Sequence, residues 1–131
     1  MKRISRSKKI TKASVIKGAG RGKKIKVPTV NFDPTSARGL KEGIYVCRVT
    51  FEKPYWGVLH FGPRPVFGEK DKSLEAHLFD FKEGKDAKTA DVEVFSFIRE
   101  IVDFAGVAQM LEAIKVDIKV AKEQIRELGN L

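Results

Sequence analysis

The run Ser73-Leu74-Glu75-Ala76-His77-Leu78-Phe79-Asp80-Phe81 holds the side chain best suited to proton chemistry. In an extended chain, Leu74, Ala76 and Leu78 share one face, and Glu75, His77, Phe79 and Phe81 share the other. A carboxylate beside aromatic rings and partly withdrawn from water is a competent general base. The same position also suits a rim carboxylate paired with one of the chain's many lysines. His77 alone fits a structural histidine at least as well as a catalytic one. Upstream, Pro28-Thr29-Val30-Asn31 sets a hydroxyl and an amide two residues apart, so both face one way if the chain is extended. Their oxygens are hard ligands of the kind Mg²⁺ takes, and the segment reads equally as a polar edge strand. Gly18-Ala19-Gly20-Arg21-Gly22-Lys23-Lys24 joins flexible backbone to positive charge. Its amides and lysines suit phosphate oxygens, although its spacing is neither a Walker A loop nor a dinucleotide fingerprint. A flexible, solubilising turn is the plainer reading of that loop taken alone.

Charge reinforces the loop. The chain has 131 residues and a formal net charge of +9. Residues 1–31 hold 11 Lys and Arg and no acid, while the rest holds 15 basic and 17 acidic residues. The excess is therefore local and calls for an anionic partner: nucleic acid, a membrane surface or the phosphates of a small ligand. Residues 1–9 read as a frayed basic lead-in, and residues 10–131 as one domain. The single cysteine, Cys47, excludes an internal disulfide and any Cys-rich zinc site. No apolar run approaches the roughly 18 residues of a membrane span, and no signal-peptide core follows the N-terminus. A cytoplasmic protein without membrane contact is the simplest expectation.

These groups need elements to hold them. Short extended stretches are predicted at 10–16, 25–32, 44–51, 56–61, 74–81 and 92–98. At 44–51, Tyr45, Cys47, Val49 and Phe51 fall on one face, with Arg48 and Thr50 on the other. Pro28 marks 25–32 as an edge or entry segment. Residues 107–128 change period: Val107, Met110/Leu111, Ile114, Ile118, Ala121, Ile125 and Leu128 form one stripe on a helix. Strands first and one long helix last predict a small antiparallel sheet or barrel with the helix packed on it.

In this order the motifs resemble the riboflavin kinase (flavokinase) family. The glycine loop is followed by Pro28-Thr29-Val30-Asn31-Phe32, Gly43-Ile44-Tyr45, Tyr55-x-Gly57-Val58, and Gly62-Pro63-Arg64-Pro65-x-Phe67. Then come Leu74-Glu75-x-His77-Leu78-x-Asp80-Phe81, Ile98-Arg99 with Phe104, and Leu111-x-x-Ile114-x-x-Asp117-Ile118-x-x-Ala121-Lys122. The likeness spans residues 12–126. It implies a mainly β fold, a six-stranded antiparallel Greek-key barrel with a C-terminal helix. It implies an enzyme that moves the γ-phosphoryl group of Mg-ATP to the terminal ribityl hydroxyl of riboflavin, giving FMN. By resemblance, Gly18, Gly20, Gly22 and Lys24 would line the phosphates, with Leu78 and Asp80 near the nucleotide. Thr29 and Asn31 would hold Mg²⁺, Glu75 would be the base, and Arg99, Phe104 and Gln109 would border the flavin.

The sequence departs from the family at Lys26 for glycine, Val30 for alanine, Pro63 and Val66 for threonines, and His60 for asparagine. An aromatic-glycine element after Phe81 is absent. Two rivals to a monomeric kinase remain: a small basic barrel that binds nucleic acid, and a flavin-binding protein with little or no turnover.

Overall fold

The computed structural model describes residues 8–17, 28–82 and 87–127. Among the described residues, six strands and one α-helix carry the fold: β1 Lys8–Ile16, β2 Thr29–Phe32, β3 Gly43–Thr50, β4 Pro54–Gly62, β5 Ser73–Leu78, β6 Thr89–Arg99 and α1 Val107–Glu127. All pairings are antiparallel, and the sheet closes on itself in the order β1-β2-β5-β4-β3-β6. Strands β3, β4 and β5 follow one another as neighbours, and β6 returns beside β3, which is the Greek-key arrangement. Closure leaves no free sheet edge.

Alternation along each strand decides what fills the barrel. Val30 and Phe32 on β2, Tyr45, Cys47 and Val49 on β3, Leu59 and Phe61 on β4, and Leu74, Ala76 and Leu78 on β5 meet in one interior cluster. The opposite parity on β3 and β4, Ile44, Val46 and Val58, packs with Ala121 and Ile125 of α1. Gly57 lies where β4 meets β5 most closely: a Cβ there would stand 2.2 Å from the His77 carbonyl oxygen. Only glycine fits that approach.

The elements depart from the sequence reading in four places. β1 begins at Lys8, so Lys8 and Lys9 belong to the strand and not to the basic lead-in. The register of β1 shifts between Ile10 and Ala13, where Lys12 adopts φ 53° and its N–H donates to Asp91 Oδ1. That bulge is why the period of two over 10–16 looks loose. β5 ends at Leu78, and Asp80 turns the chain at φ 59°. Phe79 and Phe81 therefore do not share a strand face with Glu75. Phe81 stacks on Phe51 at 5.4 Å against the interior cluster, and Phe79 joins the cluster under the helix. The buried stripe of α1 is Met110, Ile114, Asp117, Ala121 and Ile125, with Asp117 in a place where the apolar period pointed to Ile118. Arg99 explains the exchange. Its Nε and Nη2 donate to Asp117 Oδ1 and Oδ2 at 2.8 and 2.7 Å, so the carboxylate is buried with its charge matched.

Candidate active site

A group of polar residues on the barrel's outer face lies on β5 and its two neighbours. In register, Glu75 is flanked by Asn31 of β2 and His60 of β4, and His77 by Thr29 and Val58. Directly opposed residues in such pairs hold their Cβ atoms roughly 4.5–5.5 Å apart. The chain leaving β4 covers this row. After Gly62-Pro63, Arg64 lies over β5 at the head of a short 3₁₀ turn, Pro65–Phe67. Arg64 Nη2 and Nε both donate to Glu75 Oε2, at 2.6 and 3.1 Å. Arg64 is 7% and Glu75 5% exposed, so the pair lies inside the protein. Nη2 also reaches His77 Nε2 at 3.4 Å, and Nη1 contacts Met110 Sδ of α1 at 3.8 Å.

The partners fix both histidine tautomers. A guanidinium only donates, so His77 Nε2 accepts, and its Nδ1–H donates to Thr29 Oγ1 at 3.1 Å. A carbonyl only accepts, so His60 Nε2–H donates to Gly62 O at 2.9 Å. His60 Nδ1 is then a bare acceptor. Among the described residues it is the one buried side-chain N or O atom without a hydrogen-bond partner. Burial, reinforced by the Arg64 charge, pushes both imidazoles down to about 3, so both are neutral at physiological pH.

Two hollows flank the Arg64–Glu75 pair, one lined by Glu75 and the other by Arg64. One, of about 160 Å³, is lined by Glu75, Asn31, Ser73, Lys17 and Lys72. The other lies between the β4 exit and the start of α1, lined by His60, Arg64, Val66, Arg99, Phe104 and Met110. It is nearly shut, with about 10 Å³ of room.

Of the residues predicted from sequence, Thr29, Asn31 and Glu75 come together in one patch. Arg99 and Phe104 line the second hollow, with the guanidinium 5.4 Å from the Phe104 ring centre. Gln109 is exposed on the first turn of α1 and is not part of that lining. The Leu78 side chain is fully buried inside the barrel, and its N–H donates to Pro28 O. Asp80 is exposed in the turn that follows. Gly18, Gly20, Gly22 and Lys24 lie outside the described residues, as does Lys26. Sequence reasoning assigned no role to Arg64, although an arginine between two prolines after an apolar strand is the signal that marks it. The sequence reading also left Asp117 without a charge partner.

The riboflavin kinase family profile matches residues 6–125. The chain belongs to the riboflavin kinase family. It is 39% identical over 112 residues to a trifunctional protein of Mycoplasmoides gallisepticum, a match covering 84% of this chain and 17% of that one. It is 30% identical over 122 residues to an RNA-binding riboflavin kinase of Bacillus subtilis, covering 92% of this chain and 53% of the relative. With the riboflavin kinase of Mus musculus the identity is 29% over 122 residues, 87% of this chain and 79% of the mouse protein. The chain thus spans about a sixth and a half of the first two relatives, and most of the third. Within the riboflavin kinase family's barrel, Val30 is buried and faces the interior cluster, so that departure is a matter of core packing. His60, by contrast, faces the polar patch.

Proposed function

We propose that this chain is a phosphotransferase that converts riboflavin and ATP to FMN and ADP. The observation that carries the reading is the position of the Arg64–Glu75 pair between the two hollows. A group transfer between two bound substrates needs its proton acceptor at their boundary. In this reading the nucleotide phosphates occupy the hollow beside Asn31, Lys17 and Lys72. The flavin occupies the cleft beside Arg99 and Phe104, with its ribityl chain running to Glu75. The cleft walls at residues 63–66 and 101–104 have to part, because a ligand of this size needs several hundred Å³.

Arg64 holds Glu75 by Oε2 alone, which leaves Oε1 as the oxygen that no Arg64 N–H engages. The terminal hydroxyl of riboflavin donates to that oxygen. Its O–P bond to the γ-phosphorus forms as the β–γ bridging P–O bond breaks, and the proton passes to the carboxylate. Transfer of this kind has a loose transition state, so orientation of the hydroxyl matters more than basicity. Mg²⁺, when bound with the nucleotide, neutralises phosphate charge. Thr29 and Asn31 fit it: two hard oxygens on one strand face, with Asn31 lining the hollow and Thr29 Oγ1 accepting from the His77 N–H. Riboflavin incubated with the protein and Mg-ATP, separated by chromatography, tests the reading by the appearance of FMN. Solution work is expected to find a monomer, and cells to hold it in the cytoplasm.

The acid-free basic stretch of residues 1–31 supports one second reading, contact with nucleic acid, a property carried in the name of the Bacillus subtilis relative. Removing residues 1–7, which leaves β1 intact, would then lower nucleic-acid affinity and flatten its salt dependence while sparing FMN formation.

A further inference from the structure

His60 carries the one fully buried side-chain N or O atom among the described residues that has no hydrogen-bond partner. It is 4% exposed, its Nε2–H is spent on Gly62 O, and its Nδ1 lone pair has no partner among the described residues. An acceptor taken out of water without a donor is a standing cost to the fold. Such a group is retained where a ligand supplies the donor. The residue is also one of the walls of the cleft between the β4 exit and α1. It stands directly opposite Glu75 in the β4–β5 register.

The donor's chemistry follows from the neighbours. Arg64 and Arg99, the charged side chains that line the same cleft, are donors only. They can serve carbonyl or phosphate oxygens and cannot accept from a ligand hydroxyl. The neutral imidazole of His60 supplies the acceptor that they lack. We infer that His60 Nδ1 is a binding residue that accepts a hydrogen bond from a ribityl hydroxyl of the flavin, next along the chain from the hydroxyl held by Glu75. This inference rests on the kinase reading and adds a determinant to it. His60 lines the cleft together with Arg99 and Phe104 and stands opposite Glu75 across the strands, so it lies between the ring end and the base, where the polyol chain would run. The direction of the contact also requires an unprotonated Nδ1, which burial secures at neutral pH.

The test compares riboflavin with lumiflavin, which carries the same ring system and a methyl group in place of the ribityl chain. Dissociation constants are read from flavin fluorescence with the full chain and no nucleotide. His60→Phe keeps a flat ring and removes the acceptor, and His60→Asn keeps an acceptor. His60→Phe is expected to weaken riboflavin about tenfold, the loss of one hydrogen bond, and to leave lumiflavin unchanged. His60→Asn should recover most of the difference. His60→Phe also strips Gly62 O of its donor, so the free protein should melt somewhat lower than wild type, and the difference between the two flavins is what reads the contact. Equal losses for both flavins, or unchanged riboflavin affinity with a lower melting temperature, would overturn the inference and leave His60 a structural residue. If His60→Phe does not fold, His60→Leu, which also lacks an acceptor, carries the same comparison. Wild-type protein that binds neither flavin would instead overturn the kinase reading itself.

Discussion

Replacing Glu75 by glutamine while Arg64 stays in place perturbs structure and chemistry together, and the structure allows the two to be separated. The pair is more than nine-tenths buried, so solvent does little to screen it. Removing one partner of such a pair costs about 3–5 kcal/mol when nothing replaces it. Glutamine keeps an oxygen for the two Arg64 N–H groups, so Glu75→Gln should cost about 2–3 kcal/mol and lower the melting temperature by roughly 10 °C. Activity should fall further than stability, by about 10²–10⁴ in kcat, the usual contribution of a positioned base. A double replacement, Arg64→Met with Glu75→Met, removes both charges at once. Buried pairs exchanged for apolar side chains are often neutral or stabilising, so this protein should regain most of the lost stability. It should not regain turnover. Melting followed by circular dichroism, and FMN formation assayed well below the transition, give both readouts on the same samples. A Glu75→Gln or double variant with more than about a tenth of wild-type kcat would refute the base assignment, since that loss is far below the expected range.

Acid should destabilise the fold through its histidines. His60 and His77 sit near 3 in the folded protein against 6.5 when exposed, so the unfolded chain takes up protons first as pH falls. Their contribution is whole above pH 6.5 and lost as pH drops toward 3; at pH 5 each should have cost about 2 kcal/mol, measurable by urea unfolding. Stability that is flat between pH 7 and 5 would contradict the neutral assignment. Thr29→Ala and Asn31→Ala should raise the KM for Mg-nucleotide and leave riboflavin affinity of the free protein unchanged, by kinetics and fluorescence titration. Thr29→Ala should also cost about 1 kcal/mol, because His77 loses its acceptor. Arg99→Ala leaves Asp117, 3% exposed, without its counter-charge and should lower stability by about 3–5 kcal/mol in urea. A loss below 1 kcal/mol would show that Asp117 finds another partner.

The barrel was legible because strand alternation is a local property. Tyr45, Cys47 and Val49 on β3 and Leu74, Ala76 and Leu78 on β5 reveal their inward faces without reference to any partner. For the same reason, Glu75 could be set on the outer face beside Thr29 and Asn31 once their strands were paired. What escaped sequence reasoning depends on backbone turns and distant contacts. The turn at Asp80 ends β5 early and sends Phe79 and Phe81 in different directions, and no periodicity signals a φ of 59° at an aspartate. Arg64, at the head of a 3₁₀ turn, reaches Glu75 across 11 positions, so the carboxylate's partner proved to be a buried arginine rather than a surface lysine. Asp117 interrupts an apolar stripe that is sensible only once Arg99 is seen beside it.

The most direct test of the phosphotransferase reading is a single-turnover measurement with protein in excess of riboflavin, Mg-ATP labelled in its γ-phosphoryl group, and the flavin resolved by chromatography. The expected result is FMN carrying the label, one phosphoryl group per flavin, formed by the wild-type chain and suppressed by at least a hundredfold in Glu75→Gln. Unlabelled riboflavin recovered intact from a protein that binds both ligands, or equal FMN yields from the two proteins, would contradict it.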